Sequence, residues 1–250
     1  MHLDSMPEAN GNPVGLPVPS LEPAERPDGS AIIGNRVRVE RLSADDHAHD
    51  LFVALTTEPH PTLWTYMPQG PFATERELTA WIAGVEQSSD PLYYAIIDVE
   101  TGRAVGVAAY LRIDTLNRTI EVGWLTFSSA LRRSTLATEA MYLMARYAFD
   151  RGFRRYEWKC NALNAPSIAA AERLGFSFEG VFRNAVIVKG HNRDTAWFAF
   201  TDGDWPAVRA AHEQWLQPDN FDEAGNQRTS LRDATRPLLH SEWPTLTVAT

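Results

Sequence analysis

The sequence predicts a mixed α/β (α+β) single domain. Three observations carry that expectation. Apolar periodicity alternates along the chain in the order β, α, α, three β, α, β, α, β, β, which fits neither a doubly wound sheet nor a barrel. The three central β runs, "LYYAIID", "RAVGVAAYLRI" and "TIEVGWLTF", are separated only by the short turns "VETG" and "DTLNR" and read as an antiparallel meander. A chain of 250 residues with 44% apolar content is long enough for one sizeable core and short for two.

Residues 1–30 are rich in Pro, Gly and Asn and read as an extended or disordered leader. Their start is acidic, with no basic region before an apolar run, so no secretory signal is expected. The folded domain is expected over 31–217. "RVRVERL" alternates as a strand, Ser43 caps a first helix with Leu51, Phe52 and Leu55 on its apolar stripe, and "TEPHPTLWTYMPQGPF" is a proline-rich structured loop. Thr74 and Glu77 form a capping-box pattern that opens a second helix. After the meander comes a long helix from about Thr135 to Asp150, closed by Gly152. "RRYEWKC" is a strand, "APSIAAAERLG" a helix, and "FSFEGVFRNAVIV" and "TAWFAFT" are strands joined by the turn "KGHNRD". Asp204 and Pro206 open a last helix, and residues 218–250 read as an irregular tail on which Trp243 and Leu246 could dock.

Composition excludes several classes. The net charge of −9 argues against a general nucleic-acid binder, and no segment reaches membrane-spanning apolar length. The single cysteine, Cys160, rules out an internal disulfide framework and fits a reducing cytoplasm. Within this acidic protein, residues 130–160 carry seven basic against three acidic side chains. The island includes "RRSTLAT", where Arg132, Arg133, Ser134, Thr135 and Thr138 crowd the start of the long helix. One residue suffices to cap a helix; the surplus donors point to a small anion held by the open amides and positive end of the dipole. A well-capped helix with solvated arginines is the competing reading.

Three motifs extend this. "RRSTLA" (Arg132 to Ala137) matches a pyrophosphate loop of the form Q/R-x-x-G-x-G/A. "CNALNAPSIAAAERLGFSFEG" places Asn161, Asn164, Ser167, Leu174 to Phe176 and Glu179 to Gly180 in the pattern N-x-x-N-x-x-S, L-G-F, E-G. "IEVGW" resembles the strand that precedes such a loop. Together, over roughly Arg36 to Leu216, these resemble the GNAT superfamily of N-acetyltransferases and its RimJ/RimL-like branch. The loop motif alone is weakly specific; the second motif, in this order and spacing, is strongly so. The family's central loop glycine is Thr135 here, whose hydroxyl could donate to the phosphate that glycine would admit.

The resemblance implies a GNAT-like acyltransferase fold: a largely antiparallel sheet with splayed central strands and flanking helices. It implies acetyl-CoA as cosubstrate and no metal. The pyrophosphate would lie on Arg132, Arg133, Ser134, Thr135, Leu136, Ala137 and Thr138. The pantetheine arm would run along Trp124, Leu125, Thr126 and Phe127, with Asn161 and Asn164 on its other side. Glu121 is the candidate base and Ser167 the candidate acid for the leaving thiolate. Trp64, Tyr66 and Met67 are candidates for the acceptor site, with core packing as the competing reading. His191, Arg193 and Asp194 could join its rim, but a solvated hairpin tip is the simpler expectation.

The implied activity is acetyl transfer to a primary amine of a small molecule or a protein N-terminus, in the cytoplasm, with no nucleic-acid or membrane partner and room for a homodimer. A non-catalytic acetyl-CoA sensor on the same fold is the alternative. Two minor readings complete the set. "DDHAHD" invites a metal at His47 and His49, which stand two apart and do not share a helix face, and Cys160 invites a covalent acetyl-cysteine step.

Overall fold

The computed structural model describes residues 5–57 and 62–244; residues 58–61 of the proline-rich loop and Leu246 of the tail therefore lie outside the described residues. The chain opens with an exposed antiparallel ribbon of β1 (Ser5–Pro7) and β2 (Pro13–Gly15). The later part of the leader is tied to the domain. Ala24 is buried, its N–H donates to the Thr115 carbonyl, and Arg26 donates to the Ser89 carbonyl.

The remaining strands are β3 (Ile32–Ile33), β4 (Val37–Arg41), β5 (Leu92–Asp98), β6 (Ala104–Asp114), β7 (Thr119–Phe127), β8 (Arg155–Asn161), β9 (Ser177–Val188) and β10 (His191–Thr201). They form one sheet in the order β3-β4-β5-β6-β7-β8-β10-β9. Every neighbouring pair is antiparallel except β7 and β8, which run parallel.

Helices cover both faces. On one side, α1 (Ala44–Thr56) and α2 (Glu75–Val85) bury Leu51, Leu55, Leu78 and Ile82 against Tyr93, Ala95 and Ile97 of β5. On the other, α3 (Thr135–Asp150), α4 (Ala165–Arg173) and α5 (Trp205–Trp215) pack over Tyr94, Ile96 and Tyr110. The alternation along β5 thus feeds two cores, and a strand buried on both faces must read as a continuous apolar run, as "LYYAIID" does. No helix among the described residues is long and apolar enough to cross a membrane.

The helix starts follow their caps. Ser43, Thr74, Ser134 and Asn164 each accept a backbone N–H three residues on. In α2 the reciprocal arm of the capping box is shifted by one residue, since Glu77 reaches the N–H of Ala73. Asp204 departs from expectation. Its carboxylate accepts from the N–H and hydroxyl of Thr201 instead of capping α5.

Two further expectations are corrected. The turn between β9 and β10 is only Lys189 and Gly190, so His191, Arg193 and Asp194 belong to β10; His191 is exposed at the hairpin end as expected, whereas Arg193 and Asp194 are half-buried, and pairing continues outward from Thr195 to His191 across an irregularity in β9. The tail is also partly ordered. A short α6 (Leu231–Thr235) buries Leu231 and Thr235, and the Thr235 hydroxyl donates to the Arg173 carbonyl at the end of α4. Trp243 docks edge-on against Phe178 at 4.9 Å, as its aromatic character suggested.

Candidate active site

Two parallel neighbours that part company create the site. β7 and β8 pair only from Thr119↔Arg155 to Val122↔Trp158. Beyond that point β7 stays with β6 and β8 stays with β10, leaving a fork. A bulge sits at its mouth. Between Ala109↔Gly123 and Val107↔Thr126, two residues of β7, Trp124 and Leu125, oppose the single Ala108. Trp124 takes a φ of 54°, a left-handed conformation uncommon outside glycine and worth reading as a functional mark. Thr126 is buried and its hydroxyl donates to the Trp124 carbonyl at 3.3 Å, so its side chain braces the bulge instead of facing a ligand. Leu125 and Phe127 lean on the core below.

From the fork β7 runs through a tight turn into α3. Arg132 N–H donates to the Ser128 carbonyl and Ser134 N–H to the Leu131 carbonyl. The left-handed residue of this turn is Arg133, at φ 57°. Thr135 is the first helical residue and has no positive φ, so replacing the family's glycine here imposes no backbone strain. The hydroxyls sort differently from the sequence expectation. Ser134 donates to the Leu131 carbonyl and caps Ala137 N–H, which commits it. Thr138 is buried, bonded to the Ser134 carbonyl and accepting from Arg173, so it is withdrawn from any ligand. Leu136 and Ala137 pack partly on the core. What remains open is the N–H of Thr135 and of Leu136, which have no intrahelical acceptor, the Thr135 hydroxyl, and the guanidinium groups of Arg132 and Arg133. Neither arginine has an acidic partner among the described residues. These groups fit a pyrophosphate.

Across the fork, β8 turns into α4. Asn161 Oδ1 accepts from Leu163 N–H and Asn164 Oδ1 from Ser167 N–H, so each side-chain oxygen folds the turn and each amide NH₂ stays available. Ser167 Oγ accepts from the Trp158 indole at 3.0 Å, and its hydroxyl also bonds the Cys160 thiol.

The candidate acceptor residues lie on the side of α1 and α2. Trp64 enters an aromatic file, Trp64, Phe72, Trp81, Tyr93, Trp124, with centroids 5.4–5.8 Å apart. Its indole therefore packs, and Gly70 at φ 65° lies against its ring where a Cβ would come within 2.5 Å. Tyr66 crosses the fork and donates to the Leu163 carbonyl at 2.9 Å. Lys189, at the β9–β10 turn, donates to the Trp64 and Gly70 carbonyls at 2.9 and 2.8 Å. The loop is thus latched on both sides of the fork. Met67 is half-buried in it.

Glu121 is not the half-exposed glutamate of a strand surface. It is 3% exposed and belongs to a chain of alternating charges drawn from four strands, β6, β7, β8 and β9. Arg112 Nε donates to Glu121 at 2.7 Å, Lys159 reaches Glu121 at 3.0 Å and Glu157 at 2.7 Å, and Arg155 joins Glu157 at 2.6 Å to Glu179 at 2.8 Å. Trp197 covers Lys159, whose Nζ lies 3.5 Å from the ring centroid. Burial raises the Glu121 carboxyl above its ordinary range, against the pull of Lys159 and Arg112. All its cationic contacts fall on Oε2, and Oε1 lies toward Gly123, where a Cβ would stand 3.4 Å away. One oxygen is thereby anchored and the other faces the opening that glycine leaves.

The minor readings resolve into structural roles. His47 accepts from Ser43 N–H and bonds Glu40, while His49 bonds Glu75, and no group of three metal-ligating side chains is found among the described residues. Cys160 is buried in the core, and burial pushes its thiol up to about 11, so it is a neutral thiol near pH 7 and a poor nucleophile. Sequence reasoning named Tyr66 but not its Leu163 partner, and it missed Lys159, Arg112 and Lys189, whose partners are fixed only by strand pairing and loop packing.

The charge chain makes a stability prediction. Lys159→Met leaves Glu121 and Glu157 each one cation short in a buried setting. A loss of about 3 kcal/mol in urea unfolding is expected. A loss below about 1 kcal/mol would show that the chain is not structurally coupled.

Comparison with known proteins meets this geometry. The acetyltransferase (GNAT) domain family matches residues 36–177, more than half of the chain. Ribosomal-protein-serine acetyltransferase of Escherichia coli (strain K12) is 30% identical over 95 residues, 38% of this chain and 53% of that protein, so the match spans about half of the relative's length. Among solved structures, a GCN5-related N-acetyltransferase from Brucella melitensis is 42% identical, with a TM-score of 0.84 over 86% of this chain and 97% of that one. A probable acetyltransferase of the GNAT family from Chromobacterium violaceum is 38% identical, with a TM-score of 0.71 over 78% of this chain and 100% of that one. A forked sheet that feeds a basic helix start, in a chain with these relatives, belongs to the GNAT family of acetyltransferases.

Proposed function

We propose that this acetyltransferase moves an acetyl group from acetyl-CoA to a primary amine, of a protein N-terminus or a small molecule, by direct attack in the β7–β8 fork. The observation that carries the reading is the continuity of the bulge at Trp124 with a helix start bearing two unpaired arginines. Acetyl-CoA would supply an activated thioester. Arg132, Arg133 and the open amides of Thr135 and Leu136 would bind its pyrophosphate, and the free edge of β7 from Trp124 to Phe127 would pair with its amide-bearing arm.

The chain's own residues then perform the proton work. The amine nitrogen attacks the carbonyl carbon, the C–S bond breaks, and the carbonyl oxygen is held by backbone N–H of Trp124 or Leu125 as charge develops on it. Glu121 Oε1 takes the amine proton, directly or through water, while Arg112 and Lys159 fix the carboxylate through Oε2. Ser167 would protonate the departing sulfur by turning its hydroxyl from the Cys160 thiol, while the Trp158 indole holds its oxygen.

Two measurements test this. Acetyl-CoA at a hundred times its dissociation constant should stabilise the fold by about 2.7 kcal/mol, and the shift should vanish in the Arg132→Ala/Arg133→Ala variant. An unchanged melting temperature at millimolar ligand would remove the cosubstrate assignment.

Glu121→Gln should lower kcat by about 10²-fold or more. The wild-type rate should fall as pH drops through the carboxyl's raised pKa, above the ordinary 4.5, since the base works only when ionised. The variant should lose that acid limb. An identical limb in Glu121→Gln would assign the proton transfer elsewhere.

A further inference from the structure

Buried polar atoms without partners are costly, and here they gather at one place. Of the nine such side-chain atoms among the described residues, five lie on two elements: both amide atoms of Gln69 in the latched loop, and Arg193 Nε, Thr195 Oγ1 and Trp197 Nε1 on β10. Lys189 ties those two elements together. Strand alternation puts Arg193, Thr195 and Trp197 on one face of β10. Trp197 stands opposite Lys159 and Thr195 opposite Asn161, so this is the face of the sheet that carries the charge chain and Glu121. Thr195 is only 6% exposed, so its idle hydroxyl is not simply answered by bulk water.

The charges on that face do not balance. Glu121, Glu157 and Glu179 are each matched by Arg112, Lys159 and Arg155. Asp194, the next residue along, spends its carboxylate on the Asn184 N–H and the Asn192 amide. Arg193 is left over. It is half-buried, has neither a carboxylate nor an aromatic ring as partner among the described residues, and lies within electrostatic reach of Cys160 and Glu121. Two of the idle atoms, Arg193 Nε and Trp197 Nε1, can only donate. An acceptor bearing extra ammonium groups would set them against an uncompensated guanidinium, whereas a carboxylate would satisfy it.

We propose that Arg193 is the specificity-determining residue of the acceptor site, seating a carboxylate carried close to the reacting amine, with Thr195 and Trp197 completing the donor set. The inference rests on the acetyl-transfer reading above, but it makes separate demands. The carboxylate could be an acidic side chain beside a peptide N-terminus or the α-carboxylate of a free amino acid.

The test uses tetrapeptide amides that differ only in having Glu, Gln or Lys at the second position, with free amino acids as a further arm. Each is assayed with acetyl-CoA against wild type, Arg193→Gln and Arg193→Glu, and affinities for fluorescently labelled peptides are read by anisotropy. Wild type should favour Glu over Lys by about tenfold or more in kcat/KM, mostly through KM. Arg193→Gln should bring the ratio near unity, and Arg193→Glu should invert it. Each variant should keep the acetyl-CoA thermal shift, which shows that fold and cosubstrate site are intact. Preference among free amino acids over the peptides would place the carboxylate on the small molecule. Equal handling of Glu and Lys by wild type, or a preference that survives Arg193→Gln in turnover and in binding, would overturn the proposal. Absence of any acetyl-CoA shift or turnover would instead count against the cosubstrate reading, and the anisotropy series would still decide the role of Arg193.

Discussion

The architecture turns on one constraint: β7 and β8 are parallel neighbours that can share a ladder for only four residue pairs. β7 is bound to β6 along its full length, and β8 to β10, so each is pulled toward its antiparallel partner. The bulge at Trp124 and Leu125 adds a residue to β7 where the separation begins, and with it a local bend. Separated strands expose backbone donors and acceptors, which in a packed sheet would be a fault. Placed beside a helix start, the same exposed edge is where the proposal seats the cosubstrate arm. The fork, the basic turn after it and the latched loop above it are consequences of that single failure to pair.

Such a fork would weaken the sheet unless the strands were fastened below it. The charge chain from Arg112 to Glu179 does this on one face, while Ile120, Val122, Tyr156 and Trp158 pack against α3 and its neighbours on the other. The inner Lys159–Glu121 pair is buried while Arg112 and Glu179 at the ends of the chain are exposed, and buried ion pairs often gain little over apolar packing. Here they also fix Glu121 by one oxygen at the fork's mouth, so that a structural fastener and the proposed base are the same group. On the helical side, the carboxylate of Glu139 in α3 accepts the N–H of Asn35 and of Arg36 at 2.8 Å, which holds the β3–β4 turn against the helix that opens the anion site.

Much of this was legible in the sequence because it is local. Caps at Ser43, Thr74, Ser134 and Asn164 announce themselves by residue type, the meander by its turns, and the basic start of α3 by its adjacent arginines. The hidden part is long-range. That Glu121 would meet Arg112 and Lys159 depends on which strands become neighbours, and alternation alone marks it only as one residue of a strand. Tyr66 reaches Leu163 across 97 positions, and Lys189 reaches Trp64 across 125. The hydroxyls of Ser134 and Thr138 looked available to a ligand because composition counts donors without counting the backbone and side-chain groups that claim them. Arg193 looked like part of a solvated turn because the length of β10 is set by pairing with β9, not by its own residues.

The fork as the seat of the thioester arm is the central claim, and amide hydrogen exchange with and without acetyl-CoA tests it most directly. Protection on binding should rise at the backbone of Trp124 to Phe127 and at Thr135 and Leu136, and stay nearly unchanged in β4 and β5, whose pairs are already complete. Protection that spares 124–127, or that appears only on the α5 side of the sheet, would contradict the account.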